Sequence, residues 1–246
     1  VSVEALRRSD ADVVHISPSH HYPTGLVMPI TRRQELLRWA QEVPARVILE
    51  DDYDSEFRFV GRPIPTLFSI DGGEQVVYLN TFSKTIAPSI RISFMVLPRR
   101  LLADFRQKLG FYACTVSAFE QYTLAQFLAG GWYEKHLSRM RKHYRQKRDA
   151  VIAAVHQSPL APYAAITEED AGLHFLLRLD GAPPDEVLRR EAEQRGIRLA
   201  MLSDYYQRPQ DAPQHVLVVN YTGIDLDRLP AALERIAALW KENDHV

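Results

Sequence analysis

The sequence predicts an α/β fold, with a larger unit on a mostly parallel sheet followed by a smaller α+β unit. Three observations predict it. Short apolar runs rich in β-formers alternate with an amphipathic helical segment between residues 13 and 98. Polar residues follow at once on three of those runs, as they do where an open sheet gathers a ligand at the carboxyl ends of its strands. From about residue 158 the texture changes to a compact mixture of strands and helices.

Taken in order, "DVVHISPSHHYPTG" is a β-type run that breaks into a loop at Pro18, Pro23 and Gly25. "TRRQELLRWAQEV" has helical period: Leu36, Leu37, Ala40 and Val43 form its apolar face, and Thr31 with Gln34 predicts a capping box. "RVILEDDYDSEF" is a strand running into an acidic cluster, and "VVYLN" and "ISFMVLP" are further strands, the last stopped by Pro98. "SAFEQYTLAQFLAGG" carries a second capping box, Ser117 with Glu120, and ends at Gly130. Residues 132–157 read as one long helix with Tyr133, Leu137, Met140, Tyr144 and Val151 on one face. Arg139, Arg141, Lys142, Arg145, Lys147 and Arg148 are its polar companions, more in keeping with a solvated face than with a DNA patch. Pro159 and Pro162 interrupt the pattern; then "LHFLLRL", "IRLAM" and "HVLVVNY" read as strands, "PDEVLRREAEQRG" and "DLDRLPAALERIAALWKEN" as helices. The boundary is placed within the long helix, near residues 145–155, giving 1–150 to the larger unit and 151–246 to the smaller.

Composition narrows the function classes. A formal net charge of −1 over 246 residues does not point to nucleic acid or membrane. The single cysteine, Cys114, excludes an intrachain disulfide and a cysteine-based metal site, and is expected in the core. No apolar run approaches the ~20 residues that span a bilayer, and the first residues do not resemble a secretory signal. The expectation is a cytoplasmic protein. The chain opens without Met and reaches a core-type strand by Val13-Val14, as a fragment starting inside a domain would.

Two stretches carry chemistry. In "TFSKTIAPSIR", Lys84 follows a buried-type strand, with hydroxyls at Thr81 and Ser83 and a cation at Arg91. A lysine beside another cation can form a Schiff base with an aldehyde, and Thr, Ser and Arg are donors that hold a phosphate. Together they suggest an aldehyde that bears a phosphate. In "EDDYDSEF", the carboxylates of Glu50, Asp51, Asp52, Asp54 and Glu56 surround Tyr53. The spacing lacks the pattern of a calcium loop, so no metal is expected. A solvated acidic loop is one reading. A carboxylate paired with a pyridinium nitrogen, with Tyr53 bonded to a phenolate, is the other.

Lysine, acid, phenol and phosphate donors are what pyridoxal 5′-phosphate needs. "RVILEDDYDSEFRF" followed by "TFSKTIAPSIRISFMVLP" resembles fold-type I, class I and II aminotransferases. More narrowly, with "HLSRMRKHYRQKRDA" and "AGLHFLLRL", it resembles the aminotransferase-like domain of MocR-type transcriptional regulators of the GntR superfamily, through essentially the whole chain. The resemblance implies that Lys84 carries the cofactor as an aldimine, Asp51 faces the ring nitrogen with Asp52 as the competing acid, Tyr53 meets the ring oxygen, and Thr81, Ser83 and Arg91 hold the phosphate. The family's Asn before "PTG" is replaced by Tyr22, so that contact is lost or remade by Tyr22, His20 or His21. His174 reads as either a structural or a pocket-lining residue. "QHVLVVNYTGID" lacks the arginine that aminotransferases use for a substrate carboxylate. The resemblance therefore implies a dimeric domain that senses an amine or amino-acid effector with little or no turnover. It also implies DNA contact through an N-terminal winged helix-turn-helix outside this chain, and a cofactor site left incomplete in this fragment. The alternatives are an aminotransferase acting on a small amino donor, and a domain without cofactor that mediates assembly.

Overall fold

The computed structural model describes residues 1–61 and 64–243, with side chains described as far as 239. Its elements are α1 (Val3–Arg7), β1 (Val13–Ile16), α2 (Ile30–Gln41), β2 (Val47–Asp51), α3 (Leu67–Asp71), β3 (Val76–Thr81), β4 (Ser93–Val96), α4 (Leu102–Leu109), α5 (Ala118–Ala129), α6 (Trp132–Gln157), β5 (Ala164–Thr167), β6 (His174–Leu179), α7 (Asp185–Gln194), β7 (Val216–Asn220) and α8 (Leu229–Asn243). The contacts divide the chain into two units. One comprises 1–21 and 26–141, the other 22–25 and 142–246, of which 244–246 lie outside the described residues.

In the first unit the sheet order is β1-β2-β3-β4, with β1–β2 and β2–β3 parallel and β3–β4 antiparallel. Alternation sets the faces: Val14, Ile16, Ile48 and Glu50 point inward, and their neighbours face the other way. The inward set packs with Leu36, Leu37, Trp39 and Ala40 of α2, Leu67 of α3 and Val3 of α1. The expected capping box of α2 is absent, because Pro29 and not Thr31 takes the N-cap position, and the helix starts at Ile30 and so draws Thr31 inside. Val43 lies beyond the helix end and is exposed. The capping box at Ser117 and Glu120 forms as expected.

One buried cation organises the loops under the sheet. Arg33 on α2 is 0% exposed and donates to the carbonyls of Pro18, Met28 and Pro65, at 2.9, 3.1 and 2.9 Å. Its guanidinium stands 3.8 Å from Glu50, whose two oxygens accept the N–H groups of Leu67 and Phe68 at the start of α3. Burial pushes the Glu50 carboxyl up, against the pull of those N–H donors, and pushes the Arg33 guanidinium down. Tying Pro18 to α2 fixes the course of the loop that leaves β1 toward His20.

The second unit has an antiparallel sheet, β5-β6-β7. "IRLAM" is not a strand: only Met201 makes an isolated bridge, to Leu217, because the segment leaves β7 after that contact and turns into a short 3-10 helix at Leu202. Gly25 takes φ +70°, and a Cβ there would come 2.6 Å from Glu168 Cβ, so the "PTG" turn needs glycine. α6 runs from Trp132 to Gln157 as the sequence predicts. Its basic row is partly spent on the protein. Arg148 is buried and donates to the carbonyl of Glu169, and Lys147 donates to that of Thr222. Cys114 is exposed, not in the core, on the connection between α4 and α5, helices with no buried residues.

Candidate cofactor site at the carboxyl ends of β2 and β3

β3 and β4 form a hairpin in register Thr81 to Ser93, closed by the Phe82 N–H donating to the Ile92 carbonyl at 2.9 Å. The loop folds on its own side chains. Ser83 Oγ donates to the Ile90 carbonyl at 2.6 Å, and Thr81 Oγ1 donates to that of Ile92 at 3.2 Å and accepts the Ser83 N–H at 3.2 Å. Arg91 Nη1 donates to Ser83 Oγ at 3.3 Å. Thr81, Ser83 and Arg91 are therefore gathered on one hairpin mouth, with Lys84 next to Ser83 in its turn. Lys84 is exposed and makes no hydrogen bond or ion pair with any described residue, so its amine is open to a ligand.

β2 is paired so that Asp51 lies beside Leu79, and the Asp52 N–H donates to the Leu79 carbonyl at 2.9 Å. The acidic stretch therefore lies beside the end of the strand that leads to Lys84. It is not a solvated loop: Glu50, Asp52 and Asp54 are buried. The two acids that the sequence left in competition have different surroundings. Asp52 Oδ2 accepts from Ser55 Oγ and the Tyr78 hydroxyl at 2.8 and 2.9 Å, and Asn80 Nδ2 donates to Tyr78 at 3.0 Å. Asp51 is half-buried at the strand end, its Oδ2 3.3 Å from Nε2 of the exposed His15. Burial, reinforced by Asp52, pushes the Tyr78 hydroxyl well above the usual phenol range.

Tyr53 donates its hydroxyl to the His20 carbonyl at 3.1 Å, and His20 Nδ1 meets Asp54 Oδ2 at 2.9 Å. His20 is 1% exposed, which takes its ring out of the set of direct ligand contacts. His21 belongs to the first unit; Tyr22 and His174 belong to the second. Tyr22 and Tyr205 share a hydroxyl–hydroxyl bond of 2.6 Å, and His174 Nε2 lies 3.1 Å from the Pro23 carbonyl. Burial, with Tyr205 behind it, pushes the Tyr22 hydroxyl up to about 12. Sequence reasoning missed Tyr205, Tyr78 and His15. The period-2 pattern of β1 could have placed His15 on the face of Asp51; nothing local marks Tyr205.

Glu56 closes the network. Its Oε1 accepts from Asn80 Nδ2 at 3.3 Å, its carbonyl accepts from Arg141, and Oε2 has no partner among the described residues. Burial raises this carboxyl above its ordinary 4.5, so the folded state holds a proton that the unfolded state has released. Stability then falls as pH rises from 4.5 toward the raised value, by about 1.4 kcal/mol per unit of separation. Glu56→Gln is expected to flatten that part of the stability–pH curve, measured by urea unfolding; an unchanged slope would contradict it.

The family model described as aminotransferase class I and II matches residues 3–236. An uncharacterized HTH-type transcriptional regulator of Bacillus subtilis, YdeL, is 36% identical over 98% of this chain and 51% of its own length. The probable rhizopine catabolism regulatory protein MocR of Rhizobium meliloti is 36% identical over 91% of this chain and 45% of its own length. The chain thus spans about half the length of the curated relatives it matches. Among solved structures, kynurenine aminotransferase of Pyrococcus horikoshii superposes with TM-score 0.82 at 26% identity, over 98% of this chain and 59% of that one. The α-aminoadipate aminotransferase LysN of Thermus thermophilus does so with TM-score 0.79 at 25% identity, over 97% and 61%. The fold is that of fold-type I aminotransferases, and the chain belongs to the class I and II aminotransferase family.

Proposed function

We propose that this chain is the effector-sensing and dimerisation domain of a MocR-type transcriptional regulator that binds pyridoxal 5′-phosphate at Lys84. The observation that carries this is the hairpin mouth, where an unengaged lysine amine stands beside Thr81, Ser83 and Arg91. The identity to HTH-type regulators over nearly the whole chain supports the regulatory half of the reading. The donor set fits the cofactor. Lys84 offers the amine for its aldehyde. Ser83 and Arg91 are already joined by a hydrogen bond and offer donors for its phosphate, Thr81 beside them. Asp51, half-buried at the strand end, is the acid for the ring nitrogen; Asp52, whose Oδ2 accepts from Ser55 and Tyr78 and whose Oδ1 has no partner among the described residues, is the competing one. Tyr53 is the donor for the ring oxygen, and His21 is the effector-side residue of the same unit. When bound, the cofactor supplies an aldehyde that captures amines and a ring that withdraws electrons. An amine that engages this site biases the protein between two conformations, and DNA contact lies in a segment outside this chain.

Arg91→Gln is expected to weaken cofactor binding about 10- to 100-fold, because a charge-assisted contact to phosphate is lost, and Ser83→Ala less so. Titrating pyridoxal 5′-phosphate into the intact protein while following visible absorbance reads both. The second reading, an aminotransferase, is favoured by the solved relatives, which are aminotransferases. Keto-acid-dependent consumption of amino donors would support it. Amine-dependent change in promoter-DNA binding without turnover would support the regulator.

A further inference from the structure

We propose that His20, held by its buried pairing with Asp54, is a positioning residue that fixes the Tyr53 hydroxyl for the cofactor's ring oxygen. The inference rests on the cofactor reading above and adds a residue to it. His20 and Asp54 are 1% and 2% exposed, and Nδ1 lies 2.9 Å from Oδ2. Between a histidine ring nitrogen and a carboxylate, the ring N–H donates and the carboxylate oxygen accepts, which places the bond's proton on Nδ1. Nδ1 also lies 3.4 Å from the Tyr53 hydroxyl, but a protonated nitrogen does not take a phenol proton. The single Tyr53 proton therefore goes to the His20 carbonyl, at 3.1 Å.

Asp54 follows Tyr53 directly in the chain. The side-chain bond from residue 20 to 54 and the hydroxyl bond from 53 back to the residue 20 carbonyl close a small ring between the two loops. A buried hydrogen bond of this kind holds position well, because breaking it removes a partner from polar atoms that water does not reach. The consequence for Tyr53 is specific. Its oxygen is fixed, while its proton rests on a neutral carbonyl. An anionic oxygen accepts more strongly than a neutral carbonyl. When a phenolate oxygen arrives, the proton turns to it and the tyrosine oxygen stays where the clamp holds it. His20 acts on the ring oxygen through Tyr53 and not by contact.

The other ionisable groups on the adjoining elements are His15 on β1, Asp51 on β2, Asp52 and Glu56 in the loop after it, and Tyr78 on β3. The clamp joins Tyr53 to Asp54 through His20, so a cycle on these residues tests it.

The test follows the visible absorbance of the cofactor against pH in the intact protein, for wild type, Tyr53→Phe, Asp54→Asn and the double variant. The expected result is that Asp54→Asn moves the titration midpoint in the same direction as Tyr53→Phe, by about 0.5 pH unit or more. In the Tyr53→Phe background it should then move it no further. An additive shift, or no shift in folded Asp54→Asn, overturns the inference. Should Asp54→Asn fail to fold by thermal melting, His20→Gln takes its place in the cycle. Unfolding of both variants would assign the pair to the core alone and also overturn it. A wild-type protein with no cofactor absorbance would instead sink the cofactor reading itself.

Discussion

Lys84→Ala is expected to remove the lysine-linked visible absorbance of the cofactor and to abolish the response to amines, while leaving the melting temperature of the cofactor-free protein within about 1–2 °C of wild type. The reason is the local structure. Lys84 is exposed and contacts none of the described residues by hydrogen bond or ion pair, so truncating it costs the fold little. Its neighbours Thr81, Ser83 and Arg91 keep their hydrogen bonds within the hairpin, so the proposed phosphate donors persist in the variant. Cofactor would bind more weakly and reversibly. An unchanged spectrum in the variant would remove Lys84 from the site; a large loss of stability would show that it has structural partners.

Arg33→Met is expected to destabilise the first unit by about 3–5 kcal/mol, the cost of breaking a buried pair from one side. Three carbonyls, of Pro18, Met28 and Pro65, lose their donor, and the Glu50 carboxylate loses the cation 3.8 Å away. Methionine fills much of the volume, so the effect is mainly polar and not a cavity. Glu50→Gln alone should cost less, because it retains an acceptor for the α3 N–H groups. The double variant should be milder than the sum of the two, since the unpaired charge is gone. Urea unfolding midpoints at constant slope measure all three. A loss under about 1 kcal/mol for Arg33→Met would show that water enters and solvates the site.

Much of the fold was legible because its signals are local. The short apolar runs of β1, β2 and β3, the helical period of α6 and the capping box at Ser117 each depend on residues a few positions apart. α2 takes Pro29 as its N-cap in place of Thr31, so the Thr31 and Gln34 pattern falls inside the helix. "IRLAM" has strand composition, yet it forms only one bridge, since pairing depends on a partner edge that composition does not reveal. At the candidate site, the types and spacing of Lys84, Asp51, Tyr53, Thr81, Ser83 and Arg91 were readable. The different surroundings of Asp51 and Asp52 were not, because they depend on Tyr78 and Ser55, which reach Asp52 from a different strand and a turn. Nor could sequence show that His20 faces inward to Asp54, a contact across 34 positions.

β4 forms one edge of its sheet, and Phe94, Met95 and Val96 are 42%, 45% and 39% exposed. Such a border offers unpaired backbone donors and acceptors together with greasy side chains, which is a template on which another strand can grow. In concentrated solution this chain by itself is expected to self-associate through that border. Met95→Lys should raise its soluble fraction, read by light scattering, because a charge on an open edge discourages strand addition.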